Sequence, residues 1–194
     1  MRILVLYGTS EGQTAQIASF VADRLRQQGE DVVLVDVLRP PPGLRAGDFD
    51  AAIVAARVHA GRYQRQIVRF GRENRDALDA IPNAFLSVSM SAAALRPGDM
   101  ERAEGYVRAF VRQAGWRPHQ TLQVAGARLY TRHNALGRWI LGLVDRKALD
   151  TTRDHVWTDW AALDRFAAGF AATARAAPSQ GRAPYMPTAL GTSG

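Results

Sequence analysis

A chain of 194 residues that is 47% hydrophobic has the length for one well-buried domain, and the lack of cysteine excludes disulfides, thiol catalysis and iron–sulfur ligation. A net charge of +7 asks for an anionic partner such as nucleic acid, a membrane surface or an acidic ligand, although Lys147 is the sole lysine and an arginine-rich codon bias would give the same sign. His59, His119, His133 and His155 show no metal-ligand spacing, so no metal site is expected and redox work would need a bound organic cofactor.

The chain opens on a continuous apolar run from Ile3 to Tyr7, the pattern of a strand buried on both faces. The N-terminus thus reads as a core strand rather than a leader, and no run reaches the ~18 to 20 apolar residues of a bilayer span, so a cytosolic protein is expected. Gly8 ends the run. The polar turn Thr9-Ser10-Glu11-Gly12-Gln13-Thr14 then enters a helix marked by Ala15, Ile17, Ala18, Val21, Ala22 and Leu25 and closed by Gly29. A strand, a short polar loop and a helix N-terminus form an anion site, because first-turn amides have no intrahelical partner and carry the positive end of the helix dipole. The loop lacks the lysine of GxxxxGK[ST] and is not GxGxxG. Ordinary turn and N-cap chemistry would also use these residue types.

A second run, Val32 to Val37, stops at Arg39-Pro40-Pro41-Pro42-Gly43, and a third, Ala51 to Ala56, leads into the loop Arg57-Val58-His59-Ala60-Gly61-Arg62-Tyr63. One helix is expected from about Gln64 to Leu78. The fourth run, Ala84 to Val88, is followed by the small and polar stretch Ser89 to Gly98, a helix from about Met100 to Gln113 and a fifth run, Thr121 to Ala127. A closing helix is expected from about Asp159 to Arg175, with Thr158 or Asp159 as its cap. The order predicts a doubly wound α/β fold with five parallel strands in the order 2-1-3-4-5, whose loops after strands one, three and four meet at one sheet edge. The domain spans 1–175 with an insertion at 128–154, and the aperiodic tail 176–194 is expected to be disordered.

Thr9-Ser10-Glu11-Gly12-Gln13-Thr14 resembles the phosphate loop of flavodoxins, where hydroxyls and amides wrap one phosphate monoester without a cation. Further along, Trp116-Arg117-Pro118, Ala125-Gly126-Ala127, Asp150-Thr151-Thr152-Arg153 and Trp157-Thr158-Asp159-Trp160 are similar, in order and spacing, to segments of the bacterial menaquinone-dependent protoporphyrinogen IX dehydrogenases. The similarity covers about residues 1 to 172. It implies an FMN enzyme that oxidises protoporphyrinogen IX to protoporphyrin IX for haem synthesis and passes the electrons to menaquinone or ubiquinone, at the cytoplasmic face of the inner membrane. The chain departs from the family pattern at His59-Ala60, where an arginine–tyrosine pair precedes the glycine.

The resemblance assigns the phosphate to Thr9, Ser10, Glu11, Gly12, Gln13 and Thr14, with Glu11 using its backbone amide because its carboxylate must face away from a dianion. Ring contacts fall to Arg57, Val58, His59, Gly61, Tyr63, Ser89, Met90, Ser91 and Ala92. Tyr63 could edge the flavin or pack in the core, and His59 could relay protons or simply be solvated. In the insertion, Leu136, Trp139, Ile140, Leu143 and Val144 recur at helical spacing among Arg132, Arg138, Arg146 and Lys147. Such a basic amphipathic helix at about 132–147 could lie on anionic lipid, or pack on the domain or on a second copy of the chain. The rival classes are a flavodoxin-like electron carrier or quinone reductase, a receiver module and a nucleic-acid binder. The positive charge argues against a carrier that docks on basic redox partners, the carboxylates and lysine of a receiver are missing, and no aromatic-interleaved platform for nucleic acid is present.

Overall fold

A computed structural model describes residues 1–9, 12–128, 155–156 and 158–177. Ser10 and Glu11 of the first loop, most of the insertion with its expected amphipathic helix, Trp157 and the tail from 178 lie outside the described residues. Five strands, β1 (Arg2–Gly8), β2 (Asp31–Asp36), β3 (Ala51–Arg57), β4 (Asn83–Ser89) and β5 (Gln120–Ala125), form a parallel sheet in the order β2-β1-β3-β4-β5. β1 lies between β2 and β3, with Ile3 opposite Val32 on one side and Ala51 on the other. This is the expected doubly wound topology, and the winding reverses between β1 and β3.

Period-two alternation along β1 divides the core. Ile3 and Val5 point into one layer with Ile17, Val21 and Leu25 of α1 (Gln13–Gln27) and with Leu163 and Phe170 of the C-terminal helix, α5 (Trp160–Ala176). Leu4 and Leu6 point into the other with Ile67 of α2 (Arg65–Glu73), Phe110 of α4 (Asp99–Ala114) and Trp116. Each large side chain buried in these layers contributes ~1.5–3 kcal/mol relative to exposure. Gly115, at φ 68°, closes α4 as the sequence predicts.

The single helix expected from Gln64 to Leu78 is two, α2 and the short α3 (Arg75–Asp79), broken at Asn74. The asparagine side chain explains the break: Nδ2 donates to the Phe70 carbonyl at 3.0 Å, and Oδ1 accepts from the Ala46 amide at 2.9 Å. The amide thus serves the helix end and the β2–β3 connection at once. The fifth strand also differs from expectation. β5 stops at Ala125, Gly126 turns its amide onto the Ser89 carbonyl at 3.0 Å, and Ala127–Arg128 (β6) pairs antiparallel with His155–Val156 (β7). The insertion is therefore bracketed by a two-stranded ribbon. Asp159, not Thr158, caps α5, its Oδ1 accepting from the Ala162 amide at 2.9 Å.

The far end of the sheet is fastened by one carboxylate. Glu30 is 7% exposed and accepts from the N-terminal ammonium of Met1 at 2.7 Å and from Arg175 Nε at 2.7 Å, joining β1, the α1–β2 turn and α5. Burial works to raise its pKa, but the two cationic donors outweigh it and hold the carboxyl below the usual range.

Candidate functional site

The carboxyl end of β1 feeds directly into α1. Thr9 Oγ1 accepts from the Gly12 amide at 3.0 Å. Gly12 stands at φ 92°, a conformation that favours glycine. No side chain caps α1, its first turn contains no acid, and the first intrahelical bond is Gln16 N–H to the Gly12 carbonyl at 3.1 Å. The amides of Gln13, Thr14 and Ala15 therefore precede the helical ladder, at the positive end of the dipole. Thr14 is fully buried, yet its Oγ1 has no hydrogen-bond partner. A buried hydroxyl without a partner costs ~1–3 kcal/mol, a cost that an anion accepting its proton would remove. The Gln13 side chain, by contrast, is engaged within the protein, Nε2 donating to Thr158 Oγ1 at 2.9 Å. Of the expected phosphate residues, the structure thus gathers Thr9, Gly12, Gln13 and Thr14 at one turn, with the Gln13 side-chain amide turned onto Thr158.

The loop after β3 makes the second wall. Val58 N–H donates to the Val88 carbonyl at 2.8 Å, continuing the β3–β4 ladder beyond Arg57. His59 and Arg62 then exchange two backbone bonds, at 2.9 and 3.0 Å, around Ala60 at φ 47° and Gly61 at φ 77°. Two consecutive left-handed residues make a primed hairpin turn, where Gly61 fits freely and Ala60 is strained. His59 is exposed on this hairpin. Tyr63, expected either to edge the flavin or to pack in the core, packs edge-on against Phe85 and Phe110 at centroid distances of 5.2 and 5.5 Å. Its hydroxyl meets Ser87 Oγ at 2.8 Å. Burial, tempered by that hydrogen bond and reinforced by nearby Tyr106, pushes its pKa up to about 12. Tyr63 is a neutral hydroxyl at physiological pH.

The third wall follows β4. Ser89 Oγ accepts from the Ala92 amide at 3.2 Å, and the Met90 and Ser91 carbonyls accept from Ala93 and Ala94 at 3.1 Å, winding Ser91–Ala93 into a 3-10 turn. Because Ser89 also receives the Gly126 amide, the loops after β4 and β5 are tied together. Two participants were missed by sequence reasoning. Thr158 is one of two candidate caps in the sequence, and its approach to Gln13 follows only from tertiary packing. Gln64 stands before α2 with a buried, unpartnered Oε1, and an added Cβ at Gly8 would come within 2.4 Å of it. The bare glycine lets α2 close over the end of β1.

Such a site offers backbone amides and a buried hydroxyl to an anion at the β1–α1 turn, and the loops after β3 and β4 flank it. The buried Thr14 hydroxyl and the uncapped first turn fit a phosphate monoester attached to a flat ring system. Comparison with known proteins gives the same frame. A Flavodoxin domain family matches residues 4–155. The curated protoporphyrinogen IX dehydrogenase [quinone] of Leishmania major is 30% identical over 187 residues, covering 94% of this chain and 80% of that one. Its namesake from Escherichia coli strain K12 is 30% identical over 173 residues, 86% of this chain and 93% of the relative. Among solved structures, oxidised flavodoxin 1 from Bacillus cereus superposes with a TM-score of 0.53 at 16% identity, covering 89% of this chain and 98% of that one. A flavodoxin from the domain Archaea gives a TM-score of 0.51 at 12% identity, over 90% and 99% of the two chains. These structural likenesses show the fold.

Proposed function

This chain belongs to the flavodoxin-domain family, alongside the protoporphyrinogen IX dehydrogenases, and from that membership we propose that it oxidises protoporphyrinogen IX to protoporphyrin IX and delivers the electrons to a respiratory quinone. It is a flavoprotein oxidoreductase whose cofactor is FMN. When bound, FMN supplies the redox chemistry, taking electrons from the donor and releasing them to the acceptor. The chain's own residues bind, orient and shield.

The observation that carries this reading is the buried, unpartnered Thr14 hydroxyl on an uncapped first turn at the carboxyl end of β1. With Thr9, Ser10 and the amides of Glu11, Gly12 and Gln13 it would hold a phosphate through neutral donors. The Arg57–Arg62 hairpin and the Ser89–Ala92 turn would hold the ring, using Arg57, Val58, His59 and Gly61 on one side and Ser89, Met90, Ser91 and Ala92 on the other. His59, exposed on the hairpin, is the group placed to pass protons between donor and solvent. Tyr63 supports that hairpin from beneath. The insertion would bring the site to an anionic membrane surface through about 132–147, at the cytoplasmic face, where a quinone is available.

An anaerobic turnover assay tests the complete reaction. FMN-loaded protein, protoporphyrinogen IX and a soluble quinone should generate porphyrin fluorescence at a rate that rises with quinone concentration. Porphyrin formation indifferent to quinone would remove the proposed acceptor.

A further inference from the structure

A hydroxyl 145 residues away in sequence fastens the first turn of the phosphate loop's helix. Thr158 is 9% exposed; its Oγ1 accepts from Gln13 Nε2 at 2.9 Å and donates to the Ala125 carbonyl at 2.9 Å. A hydroxyl has a single proton, so donation to Ala125 leaves only its lone pairs for Gln13, and the direction of both bonds follows. The structure also shows what Thr158 is not doing. Asp159 already caps α5 through the Ala162 amide, so the threonine is not needed to start that helix.

Gln13, itself 6% exposed, spends its side-chain amide on this chain of bonds rather than on a ligand. Thr14, the next residue on the same turn, keeps a buried hydroxyl with no partner. Neighbouring positions on a helix are ~100° apart, so fixing the Gln13 side chain fixes the rotation of the turn that carries Thr14 and the leading amides. We propose that Thr158 is a positioning residue for the phosphate subsite, setting the first turn of α1 through Gln13 and linking it to the end of β5 and the point where the chain enters α5. Removing the hydroxyl takes one hydrogen-bond partner from the buried Gln13 side chain and one from the half-buried Ala125 carbonyl. The turn then relaxes to find new partners, at the expense of the anion. Contacts to a flat ring would come from the loops after β3 and β4, and neither of the two Thr158 bonds is made to a residue of those loops.

The inference rests on the FMN reading above and is tested by comparing FMN with riboflavin, which lacks the phosphate. Apoprotein is titrated with each, following quenching of flavin fluorescence, for the wild type, Thr158→Val, Thr158→Ser and Gln13→Met. Thr158→Val should weaken FMN about tenfold while changing riboflavin by less than about twofold, and Thr158→Ser should restore most of the loss. Gln13→Met should reproduce the selective loss from the other end of the bond, which keeps the test decisive if the valine variant does not fold. The double variant Gln13→Met/Thr158→Val should be no worse than either single change. An equal loss of both ligands, or no loss of either, would overturn the positioning role while leaving the FMN reading intact. Wild-type protein that takes up neither flavin would overturn the FMN reading and this inference with it.

Discussion

Tyr63 shows how one side chain can be assigned only by its surroundings. Its ring is wedged against Phe85, which stacks on Phe110 with centroids 4.3 Å apart, and its hydroxyl is bonded to the fully buried Ser87. Since its pKa is about 12 in the fold and ~10 in an unfolded chain, the folded state favours the protonated phenol. The sign follows: this contribution is fully present below pH ~10 and is lost as pH rises toward 12, on the order of 2 kcal/mol in all. Urea unfolding from pH 8 to 12 should show a stability decline that Tyr63→Phe lacks, at a cost of ~1 kcal/mol at neutral pH for the lost hydrogen bond. A parallel decline in the variant would place the effect elsewhere. In the sequence Tyr63 was ambiguous because a tyrosine entering a helix has the same periodicity whether it packs inward or faces a ligand. The place of Thr14 at the entry to α1 was legible from the turn after the first apolar run, although its buried, unpartnered hydroxyl was not; nor was the turn of the Gln13 side chain toward Thr158, because nothing local encodes a partner 145 residues away.

At the scale of elements, the site depends on how closely α2 approaches the end of β1. A Cβ at Gly8 would come within 2.4 Å of Gln64 Oε1 and 2.7 Å of Ile67 Cγ1, atoms of a helix entry and a fully buried core side chain. Gly8→Ala should destabilise the fold by ~1–3 kcal/mol through overpacking and displace α2, lowering FMN affinity as well. Paired thermal unfolding and FMN titration read both effects; an alanine variant as stable as the wild type would mean that α2 shifts freely. The apolar runs made every strand of the main sheet legible, because a sheet covered on both faces writes itself as continuous hydrophobic sequence. The α2–α3 break was hidden for a comparable reason. Asn74 sits in a stretch that keeps its helical spacing, and the break comes from its side-chain bonds to the Phe70 carbonyl at the helix end and to the Ala46 amide across the fold rather than from a proline or glycine. The ribbon β6–β7 was equally hidden, since two-residue strands leave no period to read.

At the scale of the molecule, topology converts these pieces into one edge. Strand order β2-β1-β3-β4-β5 places the loops after β1, β3 and β4 side by side at the reversal of winding, where an α/β sheet accepts ligands. No described helix is long and apolar enough to cross a membrane. The proposed route to the quinone is surface attachment, for which the charge of +7 and the basic amphipathic pattern at 132–147 would supply the chemistry. Deletion of 130–149 should abolish co-sedimentation with anionic liposomes, and binding to neutral liposomes should be weak for the intact chain; unchanged binding after deletion would end the membrane assignment. The reaction itself is read most directly by mixing the FMN-loaded protein with protoporphyrinogen IX in the absence of oxygen and of quinone. With the flavoprotein in more than threefold excess, because the porphyrinogen gives up three electron pairs and each FMN takes up one, bleaching of the visible flavin band together with formation of the oxidised porphyrin is the expected result, and a flavin spectrum that stays oxidised in the presence of the donor would contradict the assignment.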